Sequence, residues 1–181
     1  INFIPNYITT AAIDLGTKIV NEPYLFFAAG RIYEIKGLHL LLQAMKELGL
    51  KNKLIVAGDL EQVPGYKTQI LALASGLSVE FVGHLNNKAQ LLNYAANADV
   101  FIFPSLTEAM SIMLLEAVST KVPVIASDIA ANRAIFSDEE VLFFESNNAN
   151  NLAQNLKAAL SDLPAMKQRA QKAHNRLIEN Y

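Results

Sequence analysis

The sequence predicts an α/β fold, a doubly wound parallel sheet of about six strands with helices on both faces. Three observations carry this expectation. Short apolar runs alternate with longer amphipathic ones along most of the chain. The short runs are mostly continuous rather than alternating, as parallel strands covered on both faces require. With 181 residues, 52% of them apolar, the chain can bury a full core in one compact domain, or at most two small ones.

The elements follow in order. Residues 1–22 show weak periodicity and read as a connecting segment. The alternating pattern fills residues 23–163, and residues 164–181 form a last helix. Strands are expected at Tyr24–Ala29, Leu54–Ala57, Val79–Val82, Val100–Phe103, Val122–Ala126 and Val141–Phe144. Helices are expected between and after them, at Leu38–Leu48, Tyr66–Ser75, Lys88–Asn97, Glu108–Ser119, Ala130–Phe136 and Asn151–Leu160. In the first, Leu38, Leu41, Leu42, Met45 and Leu48 fall at helical spacing and form one core-facing stripe. The last, Pro164–Asn180, has proline in its first turn with Ser161 or Asp162 just ahead. It is rich in Lys, Arg, Gln and Asn, so it is expected to be mostly solvated or to pack on something outside this chain.

Composition excludes several functions. Fifteen basic and seventeen acidic side chains give a net charge of −2, unlike a nucleic-acid surface with its clustered cations. Every apolar run is interrupted before transmembrane length. There is no cysteine, and His39, His84 and His174 are far apart, so no metal site is expected. No G-x-G-x-x-G, G-x-x-x-x-G-K-[ST] or G-x-S-x-G motif occurs. The first residue is Ile1 and no signal peptide is visible, so the chain reads as a piece of a longer protein.

The chemistry-bearing residues gather at the βα junctions, where open α/β sheets bind ligands. At the first, Gly30 lets the chain turn, and Arg31 and Lys36 supply two cations that suit a diphosphate or, read alone, simply project into water. At the second, Gly58 and Asp59 read as turn residues. At the third, Gly83 permits close backbone approach and His84 follows, reading as a surface histidine before a catalyst. The fourth, Pro104–Glu116, carries the main signal. Thr107 is a candidate N-cap and Glu108 is expected in the helix's first turn, with Glu116 eight positions on. Eight helical residues span about 12 Å, so the two carboxylates cannot act on one atom: either they grip two ends of an elongated polyhydroxy ligand, or Glu108 is a dipole partner and Glu116 a solvated helix residue. In the first case phosphates would lie between them at the helix N-terminus. At the fifth, Asp128 is a candidate cap or turn former and Arg133 a surface residue.

In order along the chain, these residues resemble the nucleotide-binding C-terminal domain of retaining GT-B glycosyltransferases of family 4. Ile4–Asn6 (IPN) resembles the lead-in from the interdomain linker. Gly30–Gly37 (GRIYEIKG) resembles the family's G-R-x-x-x-x-K-G. Ala57–Asp59 and Phe81–Gly83 resemble two further βα turns. Ala98–Ala117 contains the E-x7-E motif with its flanks, and Val122–Asp128 follows. The resemblance implies a Rossmann-like domain, one half of a GT-B fold. It implies that Arg31 and Lys36 neutralise the donor diphosphate, Glu108 contacts the donor sugar and Glu116 holds the ribose hydroxyls. It also implies that backbone N–H groups of Met110, Ser111 and Ile112 meet phosphate or sugar oxygens, and that the loop Val82–His84–Leu85 borders the base. Many relatives read E-G-F-G where this chain has Glu108-Ala109-Met110-Ser111, so added bulk is expected to alter sugar access. A glycine pair common in the family is replaced by Ala130-Ala131, and an acidic residue just beyond it by Ala134.

The implied chemistry is glycosyl transfer, with retention and without metal or other cofactor, from a UDP- or GDP-linked sugar to a glycan, lipid or protein acceptor. The implied setting is surface polysaccharide, glycolipid or glycoprotein assembly in the cytoplasm or at the inner face of the membrane. The partners would be the donor and an N-terminal acceptor domain outside this chain, with membrane contact only through such missing parts and no nucleic acid. Alone, the chain would bind donor and transfer poorly or not at all. The alternatives are another GT-B enzyme, such as a sugar-nucleotide epimerase or a phosphorylase-like protein, and a non-catalytic partner-binding domain.

Overall fold

A computed structural model describes residue 17 and residues 19–180; the IPN segment and most of the 1–22 linker lie outside the described residues. Among the described residues, six strands form one all-parallel sheet in the order β3-β2-β1-β4-β5-β6. They are β1 (Tyr24–Arg31), β2 (Lys53–Asp59), β3 (Val79–Gly83), β4 (Val100–Phe103), β5 (Val124–Ser127) and β6 (Leu142–Phe144). The helices are α1 (Leu38–Glu47), α2 (Pro64–Ala74), α3 (Lys88–Asn97), α4 (Ile112–Ser119), α5 (Ala130–Arg133), α6 (Ala149–Ser161) and α7 (Leu163–Asn180). This is the doubly wound α/β, Rossmann-like architecture that the sequence predicts.

Successive side chains of a strand point to opposite faces, so each strand feeds two cores. From β1, Phe26 and Ala28 join Tyr94 of α3 and Leu114 and Leu115 of α4. Leu25 and Phe27 join Leu41 and Met45 of α1, Ile70 of α2 and Leu156 of α6. The edge strand β3 departs from the expected pattern: Glu80 and Phe81 are exposed, because no helix covers that margin completely.

Helix α7 also departs from expectation. Despite its polar composition it buries Met166, Ala170, Ala173 and Leu177 within this domain, Ala173 and Leu177 in the core shared with α4. Its small residues allow close approach, which a count of large apolar side chains overlooks. Asp162 caps its start, accepting the Ala165 N–H at 3.0 Å.

The strand order reverses between β1 and β4. These two are in register at Leu25↔Val100 and Phe26↔Phe101, beyond which β1 runs on to Arg31 and β4 to Phe103. A crevice therefore opens at their carboxyl ends, the topological switch point of a doubly wound sheet.

Candidate functional site

Two loops make the walls of this crevice. The β1–α1 loop contains a 3-10 turn, Glu34–Lys36, closed by Gly37 at φ 70°. A Cβ on Gly37 would stand 2.0 Å from the Pro104 carbonyl oxygen, so the β4–α4 loop comes this close only because residue 37 has no side chain. The Leu106 N–H donates to the Ile35 carbonyl at 2.8 Å and fixes the two loops side by side.

That docking sets Lys36 against Glu108. Lys36 Nζ lies 2.7 Å from Glu108 Oε1, with side chains 21% and 11% exposed. The pair borders a cavity of about 190 Å³ whose floor is Ala28, Ala29, Gly30 and Phe103, with Met110, Ile112 and Met113 on the α4 side. Gly30 is not the turn expected: β1 continues through it to Arg31, with a register irregularity against β2 between Ala28 and Arg31. Its open Cβ side instead leaves the cavity floor clear.

The expected helix from Glu108 begins only at Ile112. Glu108 is thus a loop residue, Thr107 is not the N-cap, and the stretch between the two glutamates is only partly helical. The N-cap position is Ser111, whose side chain makes no cap hydrogen bond. Its hydroxyl turns inward and donates to Asn132 Oδ1 at 2.6 Å. Ser111 is fully buried, so its departure from the family's glycine adds no bulk to the cavity; Met110 does line it. Of the backbone donors expected for ligand, the Ile112 N–H donates to the Met110 carbonyl at 2.9 Å.

The other candidates lie outside this cavity. Exposed Arg31 lines a neighbouring cavity of about 340 Å³ with Ile32, Tyr33, Gln62 and Val63. Glu116 falls on the α4 face of Ile112 and Met113, one turn on. It is 17% exposed and its Oε1 lies 2.9 Å from Lys88 Nζ, so it is not the solvated helix residue one might assume. Val82 and Leu85 pack against the α3–α4 core. His84 lies across the sheet edge, in a cavity of about 330 Å³ with Gly58, Asp59 and Phe81. Asp59 is a turn former, accepting the Glu61 N–H at 2.9 Å and Gln62 Nε2 at 2.6 Å, and these bonds hold its carboxyl below the usual range. Gly58 allows close packing, since a Cβ there would stand 2.1 Å from the Ala29 carbonyl. Asp128 caps no helix; its carboxylate accepts the Ser146 N–H at 2.8 Å. Arg133 keeps to the surface, paired with Asp138 and lying over the Phe143 ring.

Sequence reasoning missed the supports. Lys88 follows Asn87, which caps α3 by accepting the Ala89 and Gln90 N–H groups. The capping signal is legible, but the docking of α3 beside α4 is not. Ser105, Ser127 and Asn132 are buried polar residues behind the site loop, in positions that look unremarkable in sequence. Among the described residues there is no cluster of three His, Asp or Glu side chains that could hold a metal, and no helix long and apolar enough to cross a membrane.

The family model described as glycosyl transferases group 1 matches residues 13–176. The chain belongs to that family. Among its group 1 relatives, the capsular polysaccharide biosynthesis glycosyltransferase CapM of Staphylococcus aureus is 27% identical over 80% of this chain and 39% of that protein. The N-acetylgalactosamine-N,N'-diacetylbacillosaminyl-diphospho-undecaprenol 4-alpha-N-acetylgalactosaminyltransferase of Campylobacter jejuni is 30% identical over 91% of this chain and 47% of that protein. The chain therefore spans less than half the length of these curated relatives. Among solved structures, Anabaena Alr3699/HepE in complex with UDP and glucose superposes with a TM-score of 0.77, at 20% identity, over 88% of this chain and 44% of that one. The C-terminal domain of a glycosyl transferase group 1 family protein from Francisella tularensis superposes with a TM-score of 0.71, at 21% identity, over 87% of this chain and 86% of that one. These likenesses establish the fold, one half of the GT-B architecture.

Proposed function

We propose that this chain is the C-terminal, donor-binding domain of a retaining family 4 glycosyltransferase that uses a UDP- or GDP-linked sugar without a metal. The observation that carries the reading is the Lys36–Glu108 pair facing the cavity at the β1–β4 switch point. Lys36 is the cation for the donor diphosphate and Glu108 the acceptor for a sugar hydroxyl. Arg31, one cavity along, is a second cation that reaches in when the diphosphate arrives. Glu116, oriented by Lys88, takes the ribose hydroxyls. Met110 and Ser111 offer main-chain contacts, Ile112 joins them only by giving up its bond to the Met110 carbonyl, and the 82–85 loop borders the base. The complex of Alr3699/HepE with UDP and glucose supports a nucleotide-sugar donor, and the Francisella domain supports the C-terminal placement.

Transfer breaks the bond between the anomeric carbon and a diphosphate oxygen and forms one from that carbon to an acceptor hydroxyl oxygen, which gives up its proton, while the leaving diphosphate gathers negative charge. Lys36 and Arg31 offset that charge, the role a metal plays in other transferases. Breaking the Lys36–Glu108 pair releases each partner to its ligand group at the same moment. The acceptor comes from another domain, so this chain alone binds donor without efficient transfer. On this reading the protein works in the cytoplasm or at the inner membrane face, in surface polysaccharide, glycolipid or glycoprotein assembly.

Calorimetric titration with UDP, GDP and their glucose- and mannose-linked forms tests the reading. At least one nucleoside diphosphate binds, and Lys36→Ala weakens it about tenfold, as expected for loss of one charge-assisted contact. No binding by any of them, or an unchanged affinity in Lys36→Ala, rejects it.

A further inference from the structure

Behind the loop that bears Glu108 runs a buried polar chain. The Ser111 hydroxyl donates to Asn132 Oδ1 at 2.6 Å, Asn132 Nδ2 donates to the Ser127 carbonyl at 2.9 Å, and the Ser127 hydroxyl donates to the Ser105 carbonyl at 2.5 Å. Ser111, Ser127 and Asn132 are 0% exposed and Ser105 is 2% exposed. Both ends of the 105–111 stretch are thereby tied into one network, Ser111 directly to the Asn132 amide and Ser105 through the Ser127 hydroxyl, which accepts from Asn132 Nδ2 at 3.3 Å. Glu108 stands midway, three residues from each tether. The Leu106–Ile35 bond holds the same stretch against the loop of Lys36.

We propose that Asn132 is a positioning residue for Glu108, acting through Ser111 and Ser127, and so sets how tightly the sugar half of the donor is held. This rests on the reading of Glu108 as the sugar contact. A loop without regular hydrogen bonding has many conformers of similar energy. Glu108 can accept from a sugar hydroxyl without a further ordering cost only if the loop is already held. Asn132 suits this role because its amide engages both tethers at once through opposite ends, as acceptor from Ser111 and as donor toward Ser127. An apolar residue would fill the space and hold neither. The network also occupies the Ser111 hydroxyl, so no side chain caps the first turn of α4 beside the cavity.

The test compares, by calorimetry, a bare nucleoside diphosphate with the matching nucleotide sugar, drawn from UDP, GDP, UDP-glucose and GDP-mannose. In the wild-type chain the sugar adds affinity. Ser127→Ala and Asn132→Ala each cut that gain about fivefold while leaving the bare nucleotide's affinity within about twofold. Glu108→Gln loses the same gain, and adding Asn132→Ala to it changes nothing more, because the tether acts through that carboxylate. Tyr24→Phe is the control. It removes a buried hydrogen bond to the Tyr94 carbonyl at the far end of β1, so it lowers Tm without altering the gain. The proposal is overturned if both network variants keep the full sugar gain, or if the double variant loses more than Glu108→Gln alone. It is equally overturned if no sugar adds affinity to a nucleotide that binds. Failure of every nucleotide to bind the wild type is distinct: it rejects the functional reading and removes this proposal with it.

Discussion

Gly37 ties the chemistry of the site to its backbone. Its left-handed conformation closes the 3-10 turn, and its missing side chain lets Pro104 approach, so Lys36 and Glu108 can meet. Gly37→Ala adds backbone strain and a clash with a carbonyl oxygen and should cost about 2–4 kcal/mol. Thermal unfolding should show Tm lowered by about 5–15 °C. Glu108→Gln has a different signature. It removes the charge that holds Lys36 but keeps the shape of the side chain, so bare nucleoside diphosphate should bind at least as tightly as to wild type, while the gain from the sugar is lost. Titration with both ligands checks this split. At this scale Lys36 and Glu108 are legible singly, each a charge just past a strand's carboxyl end, but their pairing is not, because it depends on β1 and β4 lying side by side. Asn132, Ser127 and Lys88 were not, because their partners lie on elements whose packing the sequence does not announce. Glu108's position in the helix was misjudged because its charge suits a first turn whether or not the helix has begun.

Among the elements, α4 and α7 depend on one another. The four-residue delay in the start of α4 makes Pro104–Ser111 an extended wall of the crevice, and Val118 and Leu115 then carry the helix into the core with Ala173 and Leu177. Ala173→Glu would place a charge where the residue is 1% exposed and should unfold the α4–α7 contact. A drop in Tm of more than about 8 °C is expected, given several kcal/mol of unpaired-charge burial. A surface change such as Lys167→Glu should leave Tm within about 2 °C. Strand and helix positions were largely legible: β4 (Val100–Phe103) and α3 (Lys88–Asn97) fall where the apolar periods place them. The burial of α7 was not, since alanines at helical spacing pack closely yet weigh little in a reading based on large apolar side chains.

At the scale of the whole molecule, two half-sheets diverge from β1 and β4 and leave their carboxyl ends open for a ligand. The pH dependence of stability is a property of this scale. His39, against Tyr66, and His174, on α7, both have pKa values held below the usual histidine value, chiefly by burial. Such groups bind protons more readily when unfolded. Their contribution is therefore complete above the unfolded pKa of about 6.5 and is lost as pH falls through that value toward the lower folded ones. Tm should be flat between pH 7 and 8 and fall below pH 6.5, and His39→Gln with His174→Gln should flatten that fall; scanning calorimetry at half-unit pH steps measures it. A crystal structure of the chain with the nucleoside diphosphate it binds best decides where the donor sits. The diphosphate should lie over Gly30 with a phosphate oxygen within hydrogen-bond distance of Lys36 Nζ, and Glu108 parted from Lys36. A diphosphate seated elsewhere, such as the cavity beside Asp59 and His84, with the Lys36–Glu108 pair intact, would contradict it.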